Sequence, residues 1–200
     1  MSLDVAIIDS GGANLASLQF ALERLGARTA VTSDLAVIAA APRVLLPGVG
    51  SALAAMERLN ASGVAAHLPQ LKQPVLGICL GMQLLYQKSE EGPALCLGIL
   101  PQTVRKLQPA PGRPVPHMGW NRLHIKPGPD PLLNGVADGE YLYFVHSYAA
   151  PVSQATLATT RYGVEIAAVV RQDNFWGTQF HPERSTKVGA RILANFLEMT

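Results

Sequence analysis

The sequence predicts an α/β fold: a mostly parallel central sheet with helices on both faces and an antiparallel extension. Three observations carry this. Short apolar runs alternate with helix signals through the first half of the chain, and strands separated by helices pair in parallel with helices over both faces. After about residue 98, β-rich segments separated by turn residues take over. An amphipathic helix closes the chain.

The elements follow in order. Val5–Ile8 is an apolar run of the kind a buried strand needs. Asn14 caps a helix through Leu15, Leu18, Leu22 and Leu25, which fall on one face, and Gly26 ends it. Arg28–Val31 is the second strand, and Ser33 and Asp34 start a short helix towards Ala40. Val44–Leu46 is the third strand, closed by Pro47-Gly48. Ser51–Leu59 is a helix with Gly63 beyond it. Pro74–Ile78 is the fourth strand, and Leu80–Gln87 the helix after it. In the second half Gly119–Ile125, Tyr141–Tyr148, Leu157–Tyr162, Glu165–Val170 and Asn174–Phe180 read as strands that extend the sheet. Arg161-Tyr162-Gly163 and Gln172-Asp173-Asn174 are tight turns. Pro109–Pro116 is the most loop-like stretch, with four prolines in eight residues. In the last helix, Lys187–Glu198, the residues Val188, Ile192, Ala194, Phe196 and Leu197 lie largely on a core face.

A chain of 200 residues without repeat or linker is expected to form one domain, 1–200. Hydrophobic residues make up 48% and charged residues 15%, the opposite of a disordered composition. So few charges suit a surface partly covered by a partner, although alanine-rich chains dilute charge in the same way. The net charge of +2 comes without a basic block, so no nucleic-acid partner is expected. Cys79 and Cys96 form no disulfide framework and read as thiols of a reducing compartment. Leu35–Met56 is broken by Pro42, Arg43 and Pro47, too short an apolar run for a membrane span. The opening Met-Ser-Leu-Asp shows no signal peptide. A soluble, cytoplasmic protein is expected. No Cys/His spacing suggests zinc. Cys96 reads as packing or surface, and His67 and His124 as exposed.

The sharpest motif is Val75-Leu76-Gly77-Ile78-Cys79-Leu80-Gly81. A buried strand runs into Gly-x-Cys-x-Gly and then a helix, which is a nucleophile elbow with Cys in place of Ser. Glycines at both flanks remove Cβ atoms that would meet the neighbouring strand and helix. The helix start beside the sulfur favours thiolate, and the Leu80 N–H is placed to bind an oxyanion. A bare Gly-x-Cys-x-Gly fits a buried core cysteine equally well; the strand–elbow–helix context favours chemistry.

The second motif is Gln179-Phe180-His181-Pro182-Glu183. In an extended segment, residues two apart point the same way, so Glu183 can orient His181. His181 can then serve Cys79 as base and later as acid. Alone this segment also suits a solvated turn. The third is Leu46-Pro47-Gly48-Val49-Gly50-Ser51. Glycine-rich backbone at a strand's carboxyl end can present N–H groups to an anion, so Val49–Gly50 is a candidate second half of an oxyanion hole. Alone it is an ordinary βα turn. No Gly-Lys-Ser/Thr follows it, so it is not a phosphate loop, and Asp9-Ser10-Gly11-Gly12 lacks dinucleotide spacing.

At these residues the chain resembles the class I (triad) glutamine amidotransferases. Within them it resembles the glutaminase subunits of imidazole glycerol phosphate synthases. The likeness runs from Ala6–Asp9 through Pro47–Gly50, Gly77–Gln83 and Ser89–Gly92 to Pro116–Asn121, Tyr143–Tyr148 and Phe180–Ser185. The elbow and His-Pro-Glu belong to the whole class, and His117–Asn121 and Tyr143–Tyr148 are specific to the subunit. The resemblance implies a flavodoxin-like three-layer sandwich and glutamine hydrolysis without a cofactor. It implies a Cys79 thioester, His181 as acid and base, and Glu183 as its holder. It puts Gln83, Glu91, His146, Ser147 and Tyr148 around the substrate's amino-acid end. By charge, Glu91 suits the ammonium; from the residues alone, Glu90–Glu91 is a solvated pair. It also implies a (β/α)₈ cyclase subunit as partner. Trp120 and Tyr143 are candidates for that docking face, and equally for core aromatics. The chain departs from the family at Ser10–Ala13 and at Ala52, where aromatics are usual. Open alternatives are the glutaminase of pyridoxal phosphate or anthranilate synthesis, a non-catalytic subunit and a cysteine peptidase.

Overall fold

The computed structural model describes residues 3–10 and 15–200; the Asn14 cap and Gly11-Gly12 lie outside them. The elements run β1 (Val5–Ile8), α1 (Leu15–Arg24), β2 (Thr29–Thr32), α2 (Leu35–Ala40), β3 (Val44–Leu46), α3 (Ala52–Ala61), α4 (Val64–His67), β4 (Val75–Ile78) and α5 (Leu80–Leu84). Then follow β5 (Tyr86–Ser89), β6 (Ala94–Leu95), β7 (Leu100–Lys106), β8 (His117–Arg122), β9 (His124–Ile125), β10 (Tyr141–His146) and β11 (Tyr148–Ala149). The chain closes with β12 (Thr156–Tyr162), β13 (Val164–Gln172), β14 (Phe175–Thr178) and α6 (Thr186–Glu198).

The main sheet has the order β2-β1-β3-β4-β14-β13-β12-β9. β2, β1, β3, β4 and β14 pair in parallel, and β13, β12 and β9 extend them antiparallel. Side chains alternate across a strand, so each parallel strand feeds two cores. Ala6, Ile8, Val44, Leu46 and Val75 pack on one face with residues of α2, α3 and α5. Val5, Ile7, Leu45, Leu76 and Ile78 pack on the other with α1 and α6. That is why these strands read as unbroken apolar runs. Helix starts follow their caps: Asp34 accepts from the Ala36 and Val37 N–H groups, and Ser51 from Ala54.

Several expectations change. The helix after Cys79 stops at Leu84, not Gln87, because Tyr86–Ser89 pairs in parallel with β7 and antiparallel with β6; tertiary pairing outweighs helix propensity there. The β-rich half does not build one sheet. β8 and β10 form a separate two-stranded ribbon, and β11-β7-β5-β6 a small second sheet. Leu25 lies past the end of α1 and is exposed. His67 is half-buried rather than exposed. Among the described residues, no helix is long and apolar enough to cross a membrane.

Candidate active site

β4 runs directly into Cys79, whose backbone takes φ 55° and ψ −109°, a region L-residues occupy only when their surroundings enforce it. The flanking glycines provide the room. A Cβ on Gly77 would lie 2.7 Å from the Gly81 carbonyl, and one on Gly81 1.7 Å from the Leu46 oxygen. β3, β4 and α5 therefore converge as only glycine allows. Leu80 opens α5, and an N–H in a helix's first turn has no acceptor within that helix.

β14 delivers His181. The segment is not extended: Pro182–Arg184 forms a 3₁₀ turn after His181. Two residues of extended chain span about 6.6 Å. The turn closes that gap, and Glu183 Oε1 lies 2.8 Å from His181 Nδ1, with both side chains buried. The His181 N–H donates to the Tyr143 carbonyl at 2.9 Å. Ser185 Oγ donates to the His181 carbonyl at 2.7 Å and accepts the Tyr143 N–H at 3.0 Å. The imidazole is thus tied to β10. Burial disfavours its charged form, but hydrogen bonds to Cys79 and Glu183, and their charges, outweigh that and push its pKa up to about 10. A proton on this ring is held at neutral pH.

A cavity of about 390 Å³ opens over the sulfur, a size suited to a small ligand. Val49, Gly50, Cys79, Leu80, Gln83, Glu91, His146, Ser147, Tyr148 and His181 all line it, and Gly50 has φ +88°. Glu183 stands behind His181. Glu91 Oε2 accepts the Ala52 N–H at 3.0 Å, and burial raises its pKa. Gln83 donates to the Tyr148 carbonyl at 2.8 Å and to Gln179 Oε1 at 2.9 Å. Both amide protons are spent inside the protein, so its oxygen is the group left for a ligand.

His146 lines the cavity yet spends both ring nitrogens inside the protein. Nδ1 donates to the Tyr148 carbonyl at 2.8 Å, and Nε2 accepts from His117 Nδ1 at 2.9 Å. His117 Nε2 in turn accepts from Asn121 at 3.2 Å, which leaves one consistent set of tautomers. Burial pulls the pKa values down to about 3 for His146 and about 4 for His117. The pair is neutral and holds the cavity wall.

Trp120 and Tyr143 lie outside the cavity. They pair across the β8–β10 ribbon, edge to face at 5.9 Å. Trp120 is 50% exposed, Met118 63% and Tyr141 48%, so this face is surface and not core. Sequence reasoning missed Gly48, Pro116, Val145 and Arg184 in the cavity lining, and also Ser185 and Gln179. Gln179 sits inside a motif already singled out, but no spacing says that an amide faces sulfur.

A larger cavity, about 770 Å³, lies between residues 125–136 and the end of α6, and its lining contains no thiol or imidazole. The Cys79 thiol and the His146 and His181 imidazoles line the smaller one.

Comparison with known proteins places the chain in a family. The family model described as glutamine amidotransferase class-I matches residues 6–199. The chain is 54% identical over 196 residues to the imidazole glycerol phosphate synthase subunit HisH of Xylella fastidiosa (strain Temecula1 / ATCC 700964), with 98% of each chain covered. It is 52% identical to the protein of the same name from Shewanella oneidensis, covering 98% of this chain and 96% of that one. A solved glutamine amidotransferase superposes with TM-score 0.72 at 21% identity over 97% of each chain. The structure of PurLQS from Thermotoga maritima does so with TM-score 0.71 at 19% identity over 98% of each. At these identities the two structures speak for the fold alone, and they share this one. With the elbow, the buried His–Glu pair and a match across almost its whole length, the chain belongs to the class-I glutamine amidotransferase family.

Proposed function

We propose that this chain is the glutaminase subunit of an imidazole glycerol phosphate synthase. It hydrolyses glutamine to glutamate and ammonia. It hands the ammonia to a (β/α)₈ cyclase subunit for synthesis of imidazole glycerol phosphate and AICAR in histidine biosynthesis. The observation that carries the reading is the meeting of Cys79 and His181 at one cavity, with Glu183 paired to His181 behind it, in a chain more than half identical to proteins of that name.

His181 takes the Cys79 proton, and the sulfur attacks the side-chain amide carbon. The oxyanion forms against the Leu80 N–H and the Val49–Gly50 backbone. His181 then protonates the departing nitrogen, and ammonia leaves a γ-glutamyl thioester. Water attacks next, giving its proton to His181; the C–S bond breaks and glutamate leaves. Glu183 stabilises the imidazolium in both halves. Gln83, Glu91 and the 146–148 turn hold the amino-acid end.

Ammonia released into neutral water is protonated and loses its nucleophilicity, so a partner must receive it directly. The ribbon face of exposed Met118, Trp120 and Tyr141 with half-buried Tyr143 is the docking surface. Its β10 backbone also holds His181, so docking bears on the base. The other synthases find no support among these relatives, and the intact triad argues against a non-catalytic subunit.

The test is glutamate production by the chain alone and with the cyclase subunit plus its nucleotide ligand. Turnover in the complex that vanishes in Cys79→Ala is expected. Normal turnover in Cys79→Ala would sink the mechanism.

A further inference from the structure

Gln179 is fully buried just past the end of β14 and has no part in the steps above. A buried carboxamide is oriented by its partners, which decide where its nitrogen points. The Gln179 oxygen accepts from Gln83 Nε2 at 2.9 Å, and its nitrogen lies 3.8 Å from the Cys79 sulfur. Gln83 is itself locked. Its second N–H goes to the Tyr148 carbonyl at 2.8 Å, and reversal would set oxygen against oxygen there. With Gln83 fixed, a reversed Gln179 would set N–H against N–H. The donor at the sulfur is thus aimed by a chain of hydrogen bonds that begins at the backbone of β11.

We infer that Gln179 is a further catalytic group of this site, donating its carboxamide N–H to the Cys79 sulfur, with Gln83 as the positioning residue that keeps the donor aimed. The inference rests on the proposal that Cys79 is the nucleophile. The sulfur carries charge twice per turnover, before attack and again when the thioester breaks. A hydrogen bond to the charged form favours it, and an amide, unlike His181, never takes up the proton itself. The other charged or titratable groups facing the sulfur are His181 with Glu183 behind it, neutral His146 from β10, and Glu91 and Arg184 around the cavity. Gln179→Met alters none of them and nearly conserves volume.

The experiment uses the full chain with Cys96→Ser, so that Cys79 is the one thiol. Iodoacetamide alkylation is followed against pH for this parent, Gln179→Met and Gln83→Met, with glutamine turnover in the cyclase complex in parallel. In Gln179→Met the midpoint should rise by about one pH unit, with alkylation below the midpoint slowed about tenfold. Gln83→Met should move it the same way by less, because Gln179 can then turn. A folded Gln179→Met with an unchanged midpoint overturns the inference. If that variant does not fold, Gln83→Met decides by the same criterion. In the parent, the Gln179 carboxamide protons followed by NMR should titrate with the alkylation midpoint, and an absent shift also overturns it. Raised midpoints without glutamine turnover in any chain would support Gln179 and sink the glutaminase reading. Parent turnover with flat midpoints would do the reverse.

Discussion

Gly81→Ala probes the packing that makes the elbow possible. The added Cβ would lie 1.7 Å from the Leu46 carbonyl oxygen and 2.7 Å from its carbon. Ordinary C···O contact begins near about 3.3 Å, so α5 and the end of β3 must part by about 1.6 Å. No flexible side chain can absorb this. Leu46 is paired with Gly77 in the sheet, and α5 starts directly from the elbow. We expect a cost of about 3 kcal/mol or more, the top of the overpacking range, against about 5–15 kcal/mol for a whole domain. With a urea dependence of about 2–3 kcal/mol/M, the unfolding midpoint should fall by about 1 M or more. Turnover should fall with it, because Leu46 leads into the Gly48–Gly50 loop. Gly98→Ala is the control: φ is +70°, but nothing lies within 4 Å of the new Cβ. It bears only the left-handed backbone cost of about 1–2 kcal/mol. The assay is equilibrium urea unfolding by circular dichroism for parent and both variants. Equal midpoints for Gly81→Ala and Gly98→Ala would refute the reasoning.

Two further predictions concern the histidines. Glu183→Gln keeps the shape but removes a charge that raises the His181 pKa. The ring should lose its proton well below about 10, and kcat should drop about a hundredfold; ring NMR titration and pH–rate profiles check both, and an unmoved titration contradicts the pairing. His117 and His146 are held below the ordinary value of 6.5, at about 4 and about 3. The unfolded chain binds their protons first, so their contribution to stability is present above 6.5 and lost as pH falls through 4 to 3. Urea midpoints should decline over that window, and His117→Phe, which keeps the ring but not the nitrogens, should flatten the decline. His181 is raised instead, so its contribution is lost as pH rises from 6.5 towards about 10. An equal acid decline in His117→Phe would contradict the role given to the pair.

Much of this was legible in the chain. The parallel half could be read because each strand is buried on both faces and each helix has its own start and stop residues. The elbow could be read because its chemistry demands glycine at two fixed positions. His181 and Glu183 were legible as a pair, though the turn that joins them is not the extended segment expected. The small sheet of β5, β6, β7 and β11 was not legible. Its strands are short and half-polar, and Tyr86–Ser89 carries no mark separating it from the preceding helix. The orientations around the sulfur were beyond the sequence too. Gln83, Gln179, His117 and His146 meet from segments 29 to 96 residues apart. Residue types and local spacing are covalent properties that the sequence by itself determined. Which amide nitrogen faces the sulfur, and which imidazole stays neutral, follow from long-range packing and burial, and only the tertiary structure decided them.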